Sequence, residues 1–92
     1  MIDIPSRAER IAALLRKELS PSLIELYDDS HKHAGHAGAQ PGGQTHYRLI
    51  IESEKLRGLS KVQCHQAIYK ILDSEFKGGL HALAIQASAP KE

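Results

Sequence analysis

The sequence lacks several things, and each absence excludes a class of function. Cys64 is the only cysteine, so no intramolecular disulfide forms and a cysteine-only metal site is out of reach within one chain. Such usage suits a reducing compartment. Neither sign of charge prevails: 12 Lys+Arg face 11 Asp+Glu, a formal net +1. A dedicated duplex-DNA binder carries a more basic balance, which argues against strong non-specific nucleic-acid affinity. The longest apolar run, Ile11 to Leu15, is five residues, far short of a membrane span. The opening MIDIPSRAER has no apolar core of a secretory signal. No phosphate cradle is readable, because Gly42-Gly43 lacks the lysine and the following helix that one needs. Asp28-Asp29 and Glu52/Glu54 are the kind of acids any surface carries, and no Cys–His–Asp arrangement stands out.

Histidine is what the chain does have. His31, His33 and His36 fall within the single stretch DSHKHAGH, Asp29 to His36. Neutral imidazoles this close suit a borderline metal or donate a ligand to a cluster. The segment from Ala34 to Gln44 is built mainly of Gly, Ala, Gln and Pro and has no apolar periodicity. Residues 30–44 therefore read as a flexible His/Gly-rich surface loop, where function is commonly carried. The bland alternative is a solvated loop whose imidazoles only titrate. The chain has six histidines, so it becomes clearly cationic below about pH 6.

The length of 92 residues makes one domain, 1–92, with a modest core. Ser6 and Glu9 have capping-box spacing, and Ala8, Ile11, Leu14, Leu15 and Leu19 follow at helical spacing. Ser20-Pro21 stops that helix. Leu23 to Asp28 alternates as a strand, with Leu23, Glu25 and Tyr27 opposite Ile24 and Leu26. Thr45 to Ser53 is the clearest strand, with Tyr47, Leu49 and Ile51 on one face and His46, Arg48, Ile50 and Glu52 on the other. A helical turn fits Glu54 to Arg57, and Gly58 marks a turn. Ser60 and Gln63 repeat the capping-box spacing, predicting a helix to about Phe76 that Gly78-Gly79 ends. A last strand covers His81 to Gln86, with Leu83 and Ile85 facing inward. The order is α-β-β-α-β. A helical crossover favours parallel pairing of the last two strands, with the first strand antiparallel. The fold class is α+β, a small mixed three-stranded sheet with helices on one face.

Each remaining candidate has a structural reading beside the functional one. His81 opens the last strand next to flexible glycine and can meet the loop histidines in space. The plainer reading is a satisfied strand residue. His65, inside the second helix, reads as structural: an imidazole packed at the helix–sheet boundary and bonded to backbone. His46 reads as exposed and inert, and Cys64 as a small buried hydrophobe. Lys55, Arg57, Lys61 and Lys70 make a modest basic set, more simply a solvated face.

Four motifs then carry a resemblance: DSHKHAGH, THYRLIIES, LSKVQCHQAIYKIL and FKGGLHALAIQASAP, in that order. Between Arg10 and Pro90 the chain resembles the BolA family. That resemblance implies a compact fold related to the KH class (class II) and a non-enzymatic partner of monothiol glutaredoxins. The heterodimer shares a 2Fe-2S cluster, held by the glutaredoxin cysteine, a glutathione thiolate and two ligands from the BolA-like chain. The position that opens the last strand corresponds to His81. The loop position corresponds to His33, with His31 and His36 near enough to substitute. Imidazoles in place of thiolates make the cluster less negative and raise its potential. Cys64-His65-Gln66 stands where many relatives carry Arg-His-Arg, which removes two cations from a face suggested to touch nucleic acid. The C-terminus also lacks the Glu-Trp that often follows the final proline in relatives.

Two functions are thus expected. The first is an adaptor in iron–sulfur assembly, trafficking or iron regulation. The alternative is a nucleic-acid-binding transcriptional or stress regulator using Lys55, Arg57, Lys61 and Lys70, although no Gly-x-x-Gly turn links two helices as a KH grip requires. A homodimer and DNA remain open as partners, and a membrane is not expected. The compartment is the cytoplasm, or a mitochondrial or plastid matrix in a eukaryote.

Overall fold

A computed structural model of the chain describes residues 6–30 and 45–91. Helix α1 spans Arg7–Leu19 and opens on a complete capping box: Ser6 Oγ accepts the Glu9 N–H, and the Glu9 carboxylate accepts from the Ser6 N–H. It ends at Ser20, whose left-handed φ of 43° lets its N–H reach the Arg16 carbonyl. Strand β1 is Leu23–Asp28, β2 is His46–Glu52 and β3 is Ala82–Ser88. The sheet order is β1-β2-β3, antiparallel between β1 and β2 and parallel between β2 and β3. A single 3-10 turn, Glu54–Leu56, follows β2.

The helix expected to run to Phe76 is two helices: α2 spans Lys61–Ile71 and α3 spans Asp73–Lys77, separated at Leu72. Leu72 has φ −96° and ψ 14°, while its own N–H still reaches the Ile68 carbonyl. Asp73 and Ser74 are weak helix formers in an interior but good ones in a first turn, so a new N-terminus forms there. The bend keeps Leu72 fully buried and turns Glu75 inward toward α1. Helix α3 closes in a Schellman motif, with Leu80 N–H on the Glu75 carbonyl and Gly79 N–H on the Phe76 carbonyl. Gly79 takes φ +121°, which explains the glycine.

Ile11, Leu15, Leu49, Ile51, Ile68 and Leu72 form the fully buried centre of the core, between the helices and one sheet face. Ile24, Leu26 and Ile85 pack against it, as alternation predicts. The opposite sheet face is open at Arg48, Ala82, Ala84, Gln86 and Ser88. Cys64 is buried as a small hydrophobe. A partly buried ion cluster ties α1 to α3. Glu75 accepts from Arg7 Nε at 3.1 Å and from Arg10 Nε at 2.8 Å, and Arg7 Nη2 also donates to the Gly78 carbonyl at 2.8 Å. The Arg10 guanidinium holds the Glu75 carboxyl below the ordinary range against the opposing effect of burial.

Candidate functional site

The site grows from the end of the sheet where β1 stops and β2 and β3 begin. Asp28 Oδ1 accepts the Ser30 N–H at 2.9 Å and turns the chain out of β1. Ser30, which composition assigns to the loop, is instead buried and serves as a hub. Its hydroxyl accepts the N–H groups of Thr45 and His46, each at 3.0 Å. The Asp29 N–H reaches the His46 carbonyl at 2.8 Å, and the Asp29 carboxylate pairs with Arg48 at 3.2 Å. The two chain ends that flank residues 31–44 are therefore pinned together.

The Thr45 carbonyl then accepts two N–H groups, from His81 at 2.8 Å and from Ala82 at 3.1 Å. This doubled bond docks the start of β3 against the root of the loop. His81 is exposed there, as its place at a strand opening beside glycine suggests. His46 is not the exposed, inert residue the alternation implies. It is 6 % exposed, and its ring lies 5.1 Å from that of His81, centroid to centroid, tilted by 49°. The alternation places His46 on the Arg48 face, but at this end of the strand its ring packs against that of His81. His46 Nδ1 lies 2.9 Å from Thr45 Oγ1, a bond that orients the ring. The available signal was adjacency: His46 follows the loop directly in sequence, and strand-end positions take their burial from what flanks the sheet.

His31, His33 and His36 lie outside the described residues. His65 is half-buried on α2, and no described residue bonds its ring, so the expected bond to backbone is not formed. Among the described residues no group of three or more His, Cys, Asp or Glu could hold a metal ion. With Cys64 in the core, this end of the molecule offers imidazole and no thiolate.

The four cations of the alternative reading are not gathered into one patch. Lys55 Nζ donates to the Glu18 carbonyl, and Arg57 binds both Glu54 and the Pro90 carbonyl. Lys61 and Lys70 stand at opposite ends of α2, and nine residues at about 100° each place them on opposite helix faces.

Comparison with known proteins settles the family. The family model for BolA-like protein matches residues 15–92. The chain belongs to the BolA family. This BolA-like chain is 44 % identical over its whole length to SufE-like protein 1, chloroplastic/mitochondrial, of Arabidopsis thaliana, of which it covers 26 %. It is 42 % identical to UV-induced protein uvi31 of Schizosaccharomyces pombe, with 89 % of this chain and 83 % of that protein covered. Protein BOLA1, chloroplastic, of Arabidopsis thaliana is 38 % identical, with 97 % of this chain and 57 % of that protein covered. The chain thus spans about a quarter of the first of these relatives and little more than half of the third. Among solved structures, the BolA domain of SufE1 from Arabidopsis thaliana superposes with a TM-score of 0.84 at 44 % identity, covering 96 % of both chains. BolA1 from the same plant gives 0.83 at 38 % identity, again over 96 % of each chain. The α+β BolA fold is thereby established. No helix among the described residues is long and apolar enough to cross a membrane.

Proposed function

We propose that this BolA-like protein is a non-enzymatic adaptor that pairs with a monothiol glutaredoxin and shares a 2Fe-2S cluster with it, in cluster assembly, trafficking or iron regulation. The observation that carries the reading is the docking of His81 onto the root of the histidine loop, through the Thr45 carbonyl and the Ser30 hub. That docking puts an exposed imidazole at the base of a segment that holds three more.

The donor chemistry fits a shared cluster. The described residues offer imidazoles without thiolate and do not complete a metal site, so any cluster here needs thiolates from outside the chain. A glutaredoxin cysteine and a glutathione thiolate are such a source. His81 and His33 are the ligands proposed from this chain, with His31 and His36 as substitutes. When bound, the cluster supplies redox-active iron whose potential is raised by neutral imidazole ligation. The chain's own residues do the positioning: His46 packs on the His81 ring, and Thr45 and Ser30 fix the backbone beneath both. Similarity of the whole chain to part of a SufE-like protein supports an iron–sulfur setting. The organelle names carried by plant relatives support a matrix compartment as one home for such a protein.

The test is anaerobic reconstitution with a monothiol glutaredoxin, glutathione, iron and sulfide, followed by visible absorption and circular dichroism. Wild type is expected to change the spectrum of the glutaredoxin alone, and His81→Ala and His33→Ala to abolish that change. A normal shared-cluster spectrum in His81→Ala would remove it as a ligand.

A further inference from the structure

Gly78, Gly79 and Leu80 alone link the end of α3 to His81. Adjacent glycines give a chain wide conformational freedom, because neither has a Cβ. An imidazole that follows such a pair needs other groups to fix its direction. Its downstream side is fixed by the Thr45 carbonyl, which accepts the N–H groups of both His81 and Ala82. On the upstream side Leu80 is buried, and its N–H reaches the Glu75 carbonyl. The two glycine N–H groups close the turn onto α3. The Gly78 carbonyl is held from a different element, by Arg7 in the first turn of α1.

Arg7 Nη2 donates to that carbonyl at 2.8 Å, while Nε donates to Glu75 Oε1 at 3.1 Å. The Arg7 side chain is only 11 % exposed. The same guanidinium lies against Gly79: a Cβ built there would meet Nη2 at 3.2 Å, Nη1 at 3.5 Å and Cζ at 3.8 Å. Glycine at 79 therefore does two things, taking a φ of +121° and leaving room for the arginine. Glu75 aims the guanidinium and is itself gripped by Arg10, through Nε at 2.8 Å and Nη2 at 3.0 Å. The contacts thus run from Arg10 to Glu75, to Arg7, to Gly78, and along the backbone to His81. A planar fork suits this place, because one group must reach a carboxylate and a carbonyl at once. A lysine ammonium carries the charge as a single point and lacks the fork.

We propose that Arg7 is a positioning residue for His81, clamping the Gly78-Gly79 turn from α1 so that the imidazole meets its metal from one fixed direction. The role rests on the reading of His81 as a cluster ligand. It brings α1, which contains no histidine or cysteine, into the support of the site. It also divides the ion cluster into two tasks: Arg10 with Glu75 ties the helices, and Arg7 holds the turn. Groups behind a ligand that fix its orientation govern how firmly the metal is held.

The test compares the full wild-type chain with Arg7→Lys, which keeps a charge for Glu75 without the fork, and with Arg16→Gln, an exposed control on the same helix. In the iron-free, 15N-labelled proteins, Arg7→Lys should speed hydrogen exchange at the Leu80 and His81 amides by about tenfold, the loss of one charge-assisted hydrogen bond, and by more than at the core amides of Leu15 and Ile68. The wild-type Arg7 Nε–H should give a resolved, slowly exchanging signal. Anaerobic reconstitution with a monothiol glutaredoxin, glutathione, iron and sulfide follows. Arg7→Lys should then give a shared cluster with weaker visible circular dichroism that is lost several-fold faster than with wild type or Arg16→Gln. Wild-type exchange at Leu80 and His81 in Arg7→Lys, or equal acceleration at every amide, would overturn the proposal. Rapid exchange of the wild-type Arg7 Nε–H would overturn it without any variant. A shared cluster with the wild-type spectrum and lifetime in Arg7→Lys would remove the role of Arg7 and leave His81 as a ligand. A wild type that shares no cluster would instead sink the cluster reading, and the role of Arg7 at the ligand with it.

Discussion

The imidazole of His46 packs against that of His81 at 5.1 Å between ring centroids, joining the start of β2 to the start of β3 where both meet the root of the histidine loop. One ring is buried and bonded to Thr45, and the other is exposed. That asymmetry suits a pair in which one member holds and the other binds.

Replacing His46 by Ala should therefore leave the fold intact while loosening His81. The lost packing and hydrogen bond should cost roughly 1–2 kcal/mol in urea unfolding. Long-range 15N spectra of the imidazoles in the iron-free protein should show a changed His81 ring environment. An unchanged His81 signal would mean that His46 only fills space.

Ser30→Ala removes the hydroxyl that accepts two buried N–H groups. Each N–H left without a partner carries a desolvation penalty, so a total loss of about 2–4 kcal/mol is expected. Hydrogen exchange should accelerate at the Thr45 and His46 amides before it does elsewhere. A loss under about 0.5 kcal/mol would show that the loop root does not depend on this hub.

Glu75→Gln removes the charge shared by Arg7 and Arg10. Glu75 is 7 % exposed, but the Arg10 side chain is 38 % exposed, so the cost should be discounted for solvent to roughly 2 kcal/mol. The pH dependence follows from the lowered carboxyl pKa, caused chiefly by the Arg10 hydrogen bond. A depressed folded-state value stabilises the protein above the unfolded carboxyl pKa, and the benefit is lost as pH falls through the folded value. Wild type should thus lose stability on acidification below about pH 4.5, and Glu75→Gln should lose less across the same window. Parallel curves for the two proteins would rule out this linkage.

Gly79→Ala tests the turn that delivers the chain to His81. The residue sits at φ +121°, and a Cβ there would approach Arg7 Nη2 to 3.2 Å. Backbone strain and the crowded arginine should together cost about 1–3 kcal/mol, read as a lower Tm. Gly58→Ala is the control: it has φ +84° with open space around the added Cβ, so it reports backbone strain alone.

Much of the architecture was legible in local pattern. The bounds of β1 and both capping boxes could be read from spacing alone, because a cap needs only its own residues and a strand its own alternation. The inward set of Tyr47, Leu49 and Ile51 followed in the same way. The break at Leu72 was missed, since 3.6-residue periodicity persists through a bend that keeps Leu72 and Glu75 buried.

The sequence by itself determined the elements, the faces they bury, the family motifs and the presence of an imidazole at the opening of β3. Those properties depend on neighbours within a few residues or on order along the chain. Only the tertiary structure decided that His46 is buried against His81, that Ser30 belongs to the fold and not to the loop, and that β3 ends the sheet among the described residues, with the Tyr69 hydroxyl on its Leu83 carbonyl. Each of these depends on which strand ends meet and which margin of the sheet is left unpaired. Long-range pairing sets both, and a strand's alternation reads the same at the centre of a sheet, at its edge or beneath a loop.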